Sequence, residues 1–295
     1  MLPLVTVLCP TYKRPQLLAN AIACFQASNY PAERRRMLIF DDANQIAPQS
    51  KNGWEVRRYR QRFPSLPHKY NAMVAAADPK TDIFVLFDDD DVYLPHHISA
   101  HVKSILNGQS GWSKPSQIRS TYTGQPEIEP AHGLDVFHGS IAVSRAVLTR
   151  VGGWPVTPPG EPPDPAYDLK FMASLALFRG PPANPLKFAP PQYVFRWGST
   201  GTCHYQDAVT QPPNPHWYDT LAANVPAVAE GRIVPAFDAE TKSLYAQFAP
   251  AVAIQWSDFD HGIAPQLPAS NEAQNRTPQS WRHLANAVGT RVRPA

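Results

Sequence analysis

The chain has 295 residues, 43% of them hydrophobic, which is enough to bury a sizeable core in one large domain or two small ones. Its three cysteines are too few and too scattered for a disulfide framework or a zinc knuckle, and its 33 prolines argue against an all-helical protein. The net charge of +3 suits phosphate-bearing small molecules without demanding a nucleic acid. No apolar run approaches the roughly 18 residues of a membrane span and no signal peptide is recognisable, so we expect a cytoplasmic protein.

The first hundred residues alternate between strand and helix patterns. Residues 4–9, 36–40 and 83–87 are short apolar runs of the kind found in buried parallel strands. Apolar residues at helical spacing predict helices over residues 16–26 and 69–77. This alternation predicts an α/β fold with a mostly parallel, Rossmann-like sheet flanked by helices.

The middle of the chain mixes several kinds of element. We predict a strand over residues 136–143, a short helix over 145–150 and a turn over 152–154. A proline-rich loop over residues 155–166 then leads into an amphipathic helix over 167–178. After about residue 205 the pattern weakens, and the rest of the chain is rich in proline.

Chemically capable residues follow all three predicted strands of the first hundred residues. Thr11 and Tyr12 follow the first strand, Asp41 and Asp42 the second, and a run of four aspartates the third. In open α/β sheets, ligands bind beyond the carboxyl ends of the strands. The three strand ends therefore predict a binding site at one edge of the sheet.

The aspartate run, residues 88–91, is the strongest local signal. Clustered carboxylates repel one another, so a fold that gathers them at a strand end needs a cation nearby. Hard oxygen ligands suit Mg²⁺ or Mn²⁺, and Mg²⁺ sites combine one or two carboxylates with substrate phosphates. A solvated acidic turn is the plainer interpretation, but the apolar strand just before the run favours the metal site.

Two further groups of polar residues are ambiguous. Asp41 and Asp42 suit a turn or a helix cap, and equally a contact with a nucleobase or ribose. A basic stretch follows them, which is either a solvated face or a diphosphate-neutralising surface with Lys69 pointing inward. The other members of this stretch are Arg57, Arg58, Arg60, Arg62 and His68.

Several later residues have both a structural and a chemical interpretation. His97 and His101 stand four apart, a spacing that can hold a metal, although a surface or capping role is the better expectation. Asp168 suits either a helix cap or a general base, and Asp164 competes for the second role. His204 is either a third metal ligand or a loop histidine.

The motifs taken in order resemble the inverting family 2 glycosyltransferases of GT-A fold. Residues 5–14 (VTVLCPTYKR) are similar to that family's opening strand and turn, and residues 39–42 (IFDD) are similar to its second strand end. Residues 87–91 with Pro95 resemble its aspartate box, which contains the DxD metal motif. Further matches are KYNA at 69–72, VGGW at 151–154 and YDLKF at 167–171, where Tyr167 stands in place of the family's usual acid.

The resemblance implies a role for each matching position. Asp168 is the implied catalytic base. The implied metal ligands for Mn²⁺ or Mg²⁺ are Asp88, Asp90, Asp91 and His204. The implied contacts to a nucleotide diphosphate sugar are Pro10, Thr11, Tyr12, Arg14, Asp41, Asp42, Lys69, Asn71, Asp88 and Asp89.

The resemblance also implies a division of the chain. Residues 1–205 correspond to a GT-A domain, with a nucleotide-sugar half over about residues 1–110 and an acceptor half over about 111–205. Residues 206–295 are a proline-rich C-terminal extension that is a candidate for acceptor binding. The implied activity is transfer of a sugar to a hydroxyl group, and the acceptor stays open between a glycan, a lipid-linked sugar, a protein side chain and DNA carrying a modified base.

Two other classes of function remain open at this point. A nucleotidyltransferase also uses a nucleotide, a metal and aspartates, but it normally has a glycine-rich loop after the first strand, which residues 10–15 lack. A non-catalytic carbohydrate-binding protein of GT-A fold is the other alternative, and the intact aspartate run argues against it. The absence of GxGxxG, Walker A and GxSxG motifs argues against dehydrogenases, P-loop NTPases and α/β-hydrolases.

Overall fold

The fold was analysed in a computed structural model of the chain. The structure describes residues 1–121, 126–131, 137–196, 228–229 and 231–249, together with positions 254 and 256. Within these ranges no helix has the length and apolar composition needed to cross a bilayer.

A seven-stranded sheet forms the centre of the molecule, in the order β3-β4-β2-β1-β5-β10-β7. Strands β4, β2, β1 and β5 are parallel to one another, whereas β3, β10 and β7 each pair antiparallel with their neighbour. The strands are β1 (Val5–Thr11), β2 (Arg35–Asp41), β3 (Gln49–Lys51), β4 (Trp54–Arg58), β5 (Ile83–Leu86), β7 (Trp112–Ser113) and β10 (Ala142–Ser144). The predicted α/β fold with a mostly parallel sheet is confirmed.

Six helices are present in the described ranges, and five of them cover the two faces of this sheet. One apolar cluster contains the inward residues of α1 and α3, and a second contains those of α2, α4 and α5. Successive residues of β1 point to opposite faces, so that Val7 joins the first cluster and Leu8 the second. The helices are α1 (Pro15–Gln26), α2 (Leu66–Ala76), α3 (His97–Asn107), α4 (Arg145–Val151), α5 (Tyr167–Arg179) and α6 (Ala239–Phe248).

A smaller sheet lies beyond the aspartate run, in the order β6-β11-β8-β9. Tyr93 of β6 pairs with Tyr193 of β11, which brings the chain after residue 190 back to the aspartates. The strands are β6 (Val92–Tyr93), β8 (Gln117–Ser120), β9 (Glu127–Pro130) and β11 (Tyr193–Phe195), and a separate hairpin consists of β12 (Val228–Ala229) and β13 (Arg232–Ile233).

The described part of the C-terminal extension packs against the first sheet's core. Leu244 of α6 joins the cluster under α1, and Tyr245 donates a hydrogen bond of 2.6 Å to the carbonyl of Tyr93. Asp238 caps α6 by accepting from the N–H of Thr241, and it also forms an ion pair of 2.9 Å with the buried Arg196. These contacts hold residues 231–249 against β6 and against Arg196, the residue that follows β11.

One predicted strand is wrong over most of its length. Residues 138–140 form a 3₁₀ turn, entered through Phe137 at φ +57°, and only Ala142–Ser144 is a strand. The turn allows His138 Nε2 to accept a hydrogen bond of 2.9 Å from the indole of Trp154. This contact with a residue far along the chain overrides the local apolar pattern.

The surface role expected for His97 and His101 is also wrong, because both side chains are buried on α3. Their rings lie 4.6 Å apart, and His101 Nδ1 is 2.9 Å from the hydroxyl of Ser113. Burial lowers the pKa of His101 to about 3 and lowers that of His97 well below its ordinary value. Both rings are therefore neutral parts of the core.

We predict that acid destabilises the protein partly through His101. The unfolded state accepts a proton at about pH 6.5, whereas the folded state does so only near pH 3, so the free energy of unfolding falls as the pH drops through this interval. One such histidine contributes about 1.4 kcal/mol per pH unit. Urea unfolding of wild type and His101→Phe between about pH 7 and pH 5 measures this slope.

The variant should show a shallower dependence of the free energy of unfolding on pH, by about the contribution of one histidine. The substitution also changes the packing free energy, which shifts the free energy of unfolding by the same amount at every pH. The difference between the two proteins at about pH 7, where the histidine is mostly neutral in both states, measures this packing change. An unchanged slope would show that His101 does not stay neutral in the folded protein.

Candidate functional site

The four aspartates after β5 alternate in exposure. Asp88 and Asp90 are partly exposed, and the side chain of Asp90 is 16% accessible. Asp89 and Asp91 are buried, at 0% and 1%. Only the first and third residues of the run therefore keep accessible surface at the carboxyl end of β5.

The buried pair is held from two directions. Thr11 at the end of β1 donates a hydrogen bond of 2.6 Å to Asp89, and Arg14 pairs with the other oxygen of Asp89. Asp91 accepts from the hydroxyl of Tyr193 and, at 3.0 Å, from the N–H of Arg196. Asp91, which the resemblance placed in the metal shell, thus ties the aspartate run to the smaller sheet in this structure.

The outward pair is closely constrained as well. Tyr70 on α2 donates to Asp88 at 3.0 Å, and the Asp88 N–H donates at 2.6 Å to Tyr93 Oη. A Cβ atom on Gly139 would overlap Asp88 Oδ2, so this position has room only for glycine. Arg14 forms an ion pair of 2.7 Å with Asp90 and so offsets part of the negative charge.

The electrostatics of the aspartate run favour a cation. Burial, reinforced by the charge of Asp90, raises the pKa of Asp88 to about 7, despite the hydrogen bond from Tyr70. Burial raises the pKa of Asp89 to about 6 even though Arg14 works in the opposite direction. A carboxylate whose charged form is disfavoured in this way gains from a neighbouring positive ion.

The donor set fits a hard divalent cation that is completed by a ligand. Asp88 and Asp90 are two partly exposed carboxylates, and Mg²⁺ or Mn²⁺ takes one or two carboxylates from a protein when phosphates provide further oxygens. Within the described ranges no three histidine, cysteine or acidic side chains converge as a ready metal cage. His204, the other implied metal ligand, lies outside the described residues.

Lys69 and Asp42 form a buried ion pair beneath the end of β1. The Lys69 ammonium is inaccessible and donates to Asp42 at 2.6 Å and to the Thr11 carbonyl at 2.7 Å. Burial lowers the pKa of Lys69, and Asp42 opposes that shift. In this structure Lys69 braces the strand ends and shows no surface to a ligand. Asp42 also accepts from the N–H of Phe63 at 3.0 Å.

Asp41 and Asn71 are likewise committed to the backbone. Asp41 is 1% exposed and accepts three backbone N–H groups at 2.8–2.9 Å, which closes the loop after β2. Asn71 exchanges two hydrogen bonds, of 2.8 and 2.9 Å, with the backbone of Trp154. A Cβ atom on Gly153, which has φ +78°, would overlap the Asn71 amide, so this glycine admits the contact.

Tyr12 is one of the implied nucleotide contacts that remain partly exposed. Its ring follows β1 and carries the guanidinium of Arg62 at 4.2 Å and the ammonium of Lys13 at 5.4 Å. Pro10, by contrast, is buried within β1 beside Phe40. The carboxyl edge of the sheet therefore contains the Tyr12 ring with two cationic side chains beside it, together with the two partly exposed aspartates.

A ladder of rings connects the aspartate run to the start of α5. Tyr70, which donates to Asp88, lies 5.5 Å from the His138 ring, and His138 lies 5.7 Å from Tyr167. Asp168 follows Tyr167 and accepts the N–H of Leu169 at 2.8 Å. The ladder places the N-terminus of α5 on the Asp88 side of the molecule.

The competing carboxylate, Asp164, has a different partner. It forms an ion pair with Lys170 and accepts from the N–H of Ala166 at 2.9 Å. The hydrogen bond from Lys170 lowers the pKa of Asp164 below its ordinary value. Asp164 therefore closes the turn that precedes α5.

Four residues that the sequence did not single out shape this site, namely Tyr70, Tyr93, Gly139 and Tyr193. Tyr70 sits inside the KYNA motif, so a local signal existed for it. Tyr93 lies 5 positions after Asp88, between the aspartate run and Pro95, so a local signal existed for it as well. Gly139 and Tyr193 contact the aspartates only through the tertiary fold, and the Tyr193–Asp91 pair spans 102 positions. No local pattern marks such a contact.

Comparison with known proteins finds similarity only among solved structures. No protein-family model matches the chain, and no curated protein does. The mannosyltransferase PcManGT from Pyrobaculum calidifontis, solved in complex with GDP-Man and Mn²⁺, is 19% identical with a TM-score of 0.49, over 70% of this chain and 59% of that one. S. aureus TarS 1–349 is 11% identical with a TM-score of 0.47, over 66% and 60%.

The same TarS fragment in complex with UDP-GlcNAc gives 11% identity and a TM-score of 0.45, over 65% of this chain and 58% of that one. This chain thus spans about 60% of the length of the structures it matches. At these identities and TM-scores the likeness carries no functional conclusion, which has to come from the site itself.

We predict that Tyr70→Phe weakens Mn²⁺ binding about tenfold, because the hydroxyl that orients the Asp88 carboxylate is lost while the ring packing stays. Tyr30→Phe is a matched control, since its hydroxyl donates to the Pro3 carbonyl at 2.6 Å. Pro3 precedes β1, at the opposite end of that strand from Thr11 and the aspartates. Calorimetric titration of both variants with Mn²⁺ measures the difference. Equal affinities in the two variants would contradict a role for Asp88 in metal binding.

Proposed function

We propose that this chain is a metal-dependent inverting glycosyltransferase of GT-A type, which moves a sugar from a nucleotide diphosphate donor to a hydroxyl acceptor. The observation that carries the proposal is the alternation in the aspartate run. Asp88 and Asp90 keep accessible surface, whereas Asp89 and Asp91 are buried and accept hydrogen bonds from within the protein. Two partly exposed carboxylates at the carboxyl end of a parallel sheet suit a phosphorylated ligand with its cation.

Asp88 and Asp90 are the residues that would hold Mn²⁺ or Mg²⁺. When bound there, the ion would supply positive charge that offsets the charge of the departing nucleotide diphosphate. Arg14 pairs with Asp90 in this structure, which keeps the carboxylate in place before a ligand arrives.

The donor nucleoside is assigned to the neighbourhood of Tyr12, whose ring is partly exposed beside the ends of β1 and β2. We assign positioning roles to Thr11, Asp42 and Lys69, because their polar groups satisfy one another below the surface. Asp41 has the same kind of role through the three N–H groups of its loop. Lys69, Asp42 and Asp41 therefore support the proposed nucleoside position from within the protein and do not themselves contact the nucleoside.

Asp168 is the proposed base. It takes the proton from the acceptor hydroxyl as that oxygen bonds to the anomeric carbon, and the bond from this carbon to the phosphate oxygen breaks with its electron pair going to the nucleotide. Attack opposite to the leaving group inverts the anomeric configuration. The placement of Asp168 at the start of α5 and the ion pair that engages Asp164 support this choice over its competitor.

The donor site is tested with UDP, GDP, ADP, CDP and their sugars as probes, with and without Mn²⁺. We expect one nucleotide diphosphate at about 100 times its dissociation constant to raise the melting temperature by about 5 °C in the presence of the ion. Asp90→Asn should abolish this Mn²⁺-dependent shift. Glu33→Gln, an exposed acid before the start of β2, should keep it. A full shift in Asp90→Asn would contradict the metal assignment.

The base is tested by release of the nucleotide diphosphate from the donor found in that screen. Asp168→Asn should slow release by about 10²–10⁴-fold while calorimetric donor affinity stays within about twofold, because the carboxylate acts on the acceptor. Asp164→Asn is the matched control and should retain release. The opposite pattern would make Asp164 the base, and loss of donor affinity in Asp168→Asn would show a structural role.

A further inference from the structure

The C-terminal helix α6 is docked mainly by polar contacts. Only Thr241 and Leu244 of its 10 residues are buried, and Leu244 joins the core under α1. Tyr245 and Phe248 pack beside it and are only partly buried. An element with so little buried apolar surface opens at a lower free energy than the core of the protein. Its polar contacts therefore decide whether it stays docked.

One of these contacts is a buried charge cluster around Arg196. The guanidinium is inaccessible and forms ion pairs with Asp238 at 2.9 Å and Glu240 at 3.3 Å, both at the start of α6. It also donates to the hydroxyl of Thr241. Burial acts to lower the pKa of Arg196, but the two carboxylates together raise it above its ordinary value, so the side chain stays charged. The cluster is complete only while α6 is docked, because undocking would separate the buried guanidinium from these carboxylates.

The backbone of Arg196 connects this cluster to the aspartate run. Its N–H donates to one oxygen of Asp91 at 3.0 Å, and the hydroxyl of Tyr193 donates to the other. Asp91 directly follows Asp90, one of the two proposed metal ligands. The ion pairs with α6 therefore fix the position of a peptide group that holds the last aspartate of the run.

A second contact reaches the other end of the aspartate run. Tyr245 on α6 donates to the Tyr93 carbonyl at 2.6 Å, and the hydroxyl of Tyr93 accepts from the Asp88 N–H at 2.6 Å. The Tyr93 ring also stacks on Phe87, the residue before Asp88, with the ring centres 3.7 Å apart. The helix thus contacts the supports of both the first and the last aspartate, through two routes that share no residue.

Resting on the proposed function, we infer that docking of α6 through Arg196 and Tyr93 holds the aspartate run in the geometry that binds the divalent cation. Arg196, Asp238 and Tyr245 are then positioning residues, which act through Asp91 and Tyr93 and do not contact the ion. The two equilibria are linked, so the factor by which docking raises the affinity for the ion equals the factor by which the ion favours docking. The C-terminal extension thus serves the donor side of the reaction.

The coupling is tested on the full chain by calorimetric titration with Mn²⁺. Asp238→Asn removes the charge that pairs with Arg196 but keeps the helix cap, since asparagine caps a helix about as well as aspartate. Tyr245→Phe is a milder change that removes only the hydroxyl that donates to Tyr93. Each variant should lower the affinity for Mn²⁺ about fivefold, which is the scale of substitutions that act on a site through intermediate residues.

Two control variants match these changes. Tyr30→Phe loses a hydroxyl that also donates to a backbone carbonyl at 2.6 Å, and Asp82→Asn loses a carboxylate that accepts the Leu4 N–H at 2.7 Å before the start of β1. Both should keep the wild-type affinity. Wild-type affinity in both α6 variants, or an equal loss in the controls, overturns the inference and leaves the proposed function standing. Absence of Mn²⁺ binding by wild type overturns the metal assignment of the proposed function, and the inference with it.

Hydrogen exchange measures the same linkage in the reverse direction. In wild type, Mn²⁺ at about 100 times its dissociation constant should slow exchange of the α6 amides by about fivefold or more, because the docked state binds the ion more tightly. The α4 amides are the internal control, since α4 begins at Arg145, whose N–H donates at 2.8 Å to Asp82, before the amino end of β5. Slowing in α6 alone supports the coupling. Equal slowing in both helices would show a general stabilisation and overturn it.

Discussion

The structure depends on placing four neighbouring carboxylates at the end of one buried strand. Each carboxylate loses hydration there, and the charges repel one another, so the arrangement costs stability unless it is compensated. The surrounding elements provide that compensation. Arg14 at the start of α1 engages two of the aspartates, and hydroxyls from Thr11, Tyr70 and Tyr193 engage the other oxygens.

This compensation is uneven, and the unevenness is what creates a site. The second and fourth aspartates have hydrogen bonds from groups inside the protein and are buried. The first and third keep accessible surface, and burial, reinforced by the charge of Asp90, raises the pKa of Asp88. A residual deficit of positive charge at the carboxyl end of β5 favours a cation and a phosphorylated ligand. Along the four consecutive residues, buried aspartates that hold the run in place thus alternate with partly exposed aspartates that are the proposed metal ligands.

The layer below the site follows the same logic. The Lys69–Asp42 pair joins α2 to the ends of β1 and β2 with no exposed surface. Breaking such a pair leaves one buried charge without compensation, so its partners are coupled tightly. Asn71 fixes the other side of α2 to the turn at Gly153, and that turn leads through Trp154 and His138 to α5. Buried polar contacts therefore connect the donor side to the proposed base.

Much of the fold followed from local sequence. The strands β1, β2 and β5 are short apolar runs, and α1, α2 and α5 show helical spacing, so the sheet and its helices were predictable. The gathering of Thr11, Asp42 and the aspartate run at one edge was predictable as well, because chemically capable residues follow each strand and parallel strands end at one edge.

What the sequence by itself determined was therefore the parallel sheet, its edge and the aspartate run. Only the tertiary structure decided which aspartates face outward, that Lys69 and His101 are buried, and that residues 138–140 turn instead of extending. The physical reason is the same in each case. Local pattern fixes backbone geometry, whereas burial and charge depend on partners such as Tyr193 for Asp91 and Trp154 for His138, which lie far along the chain.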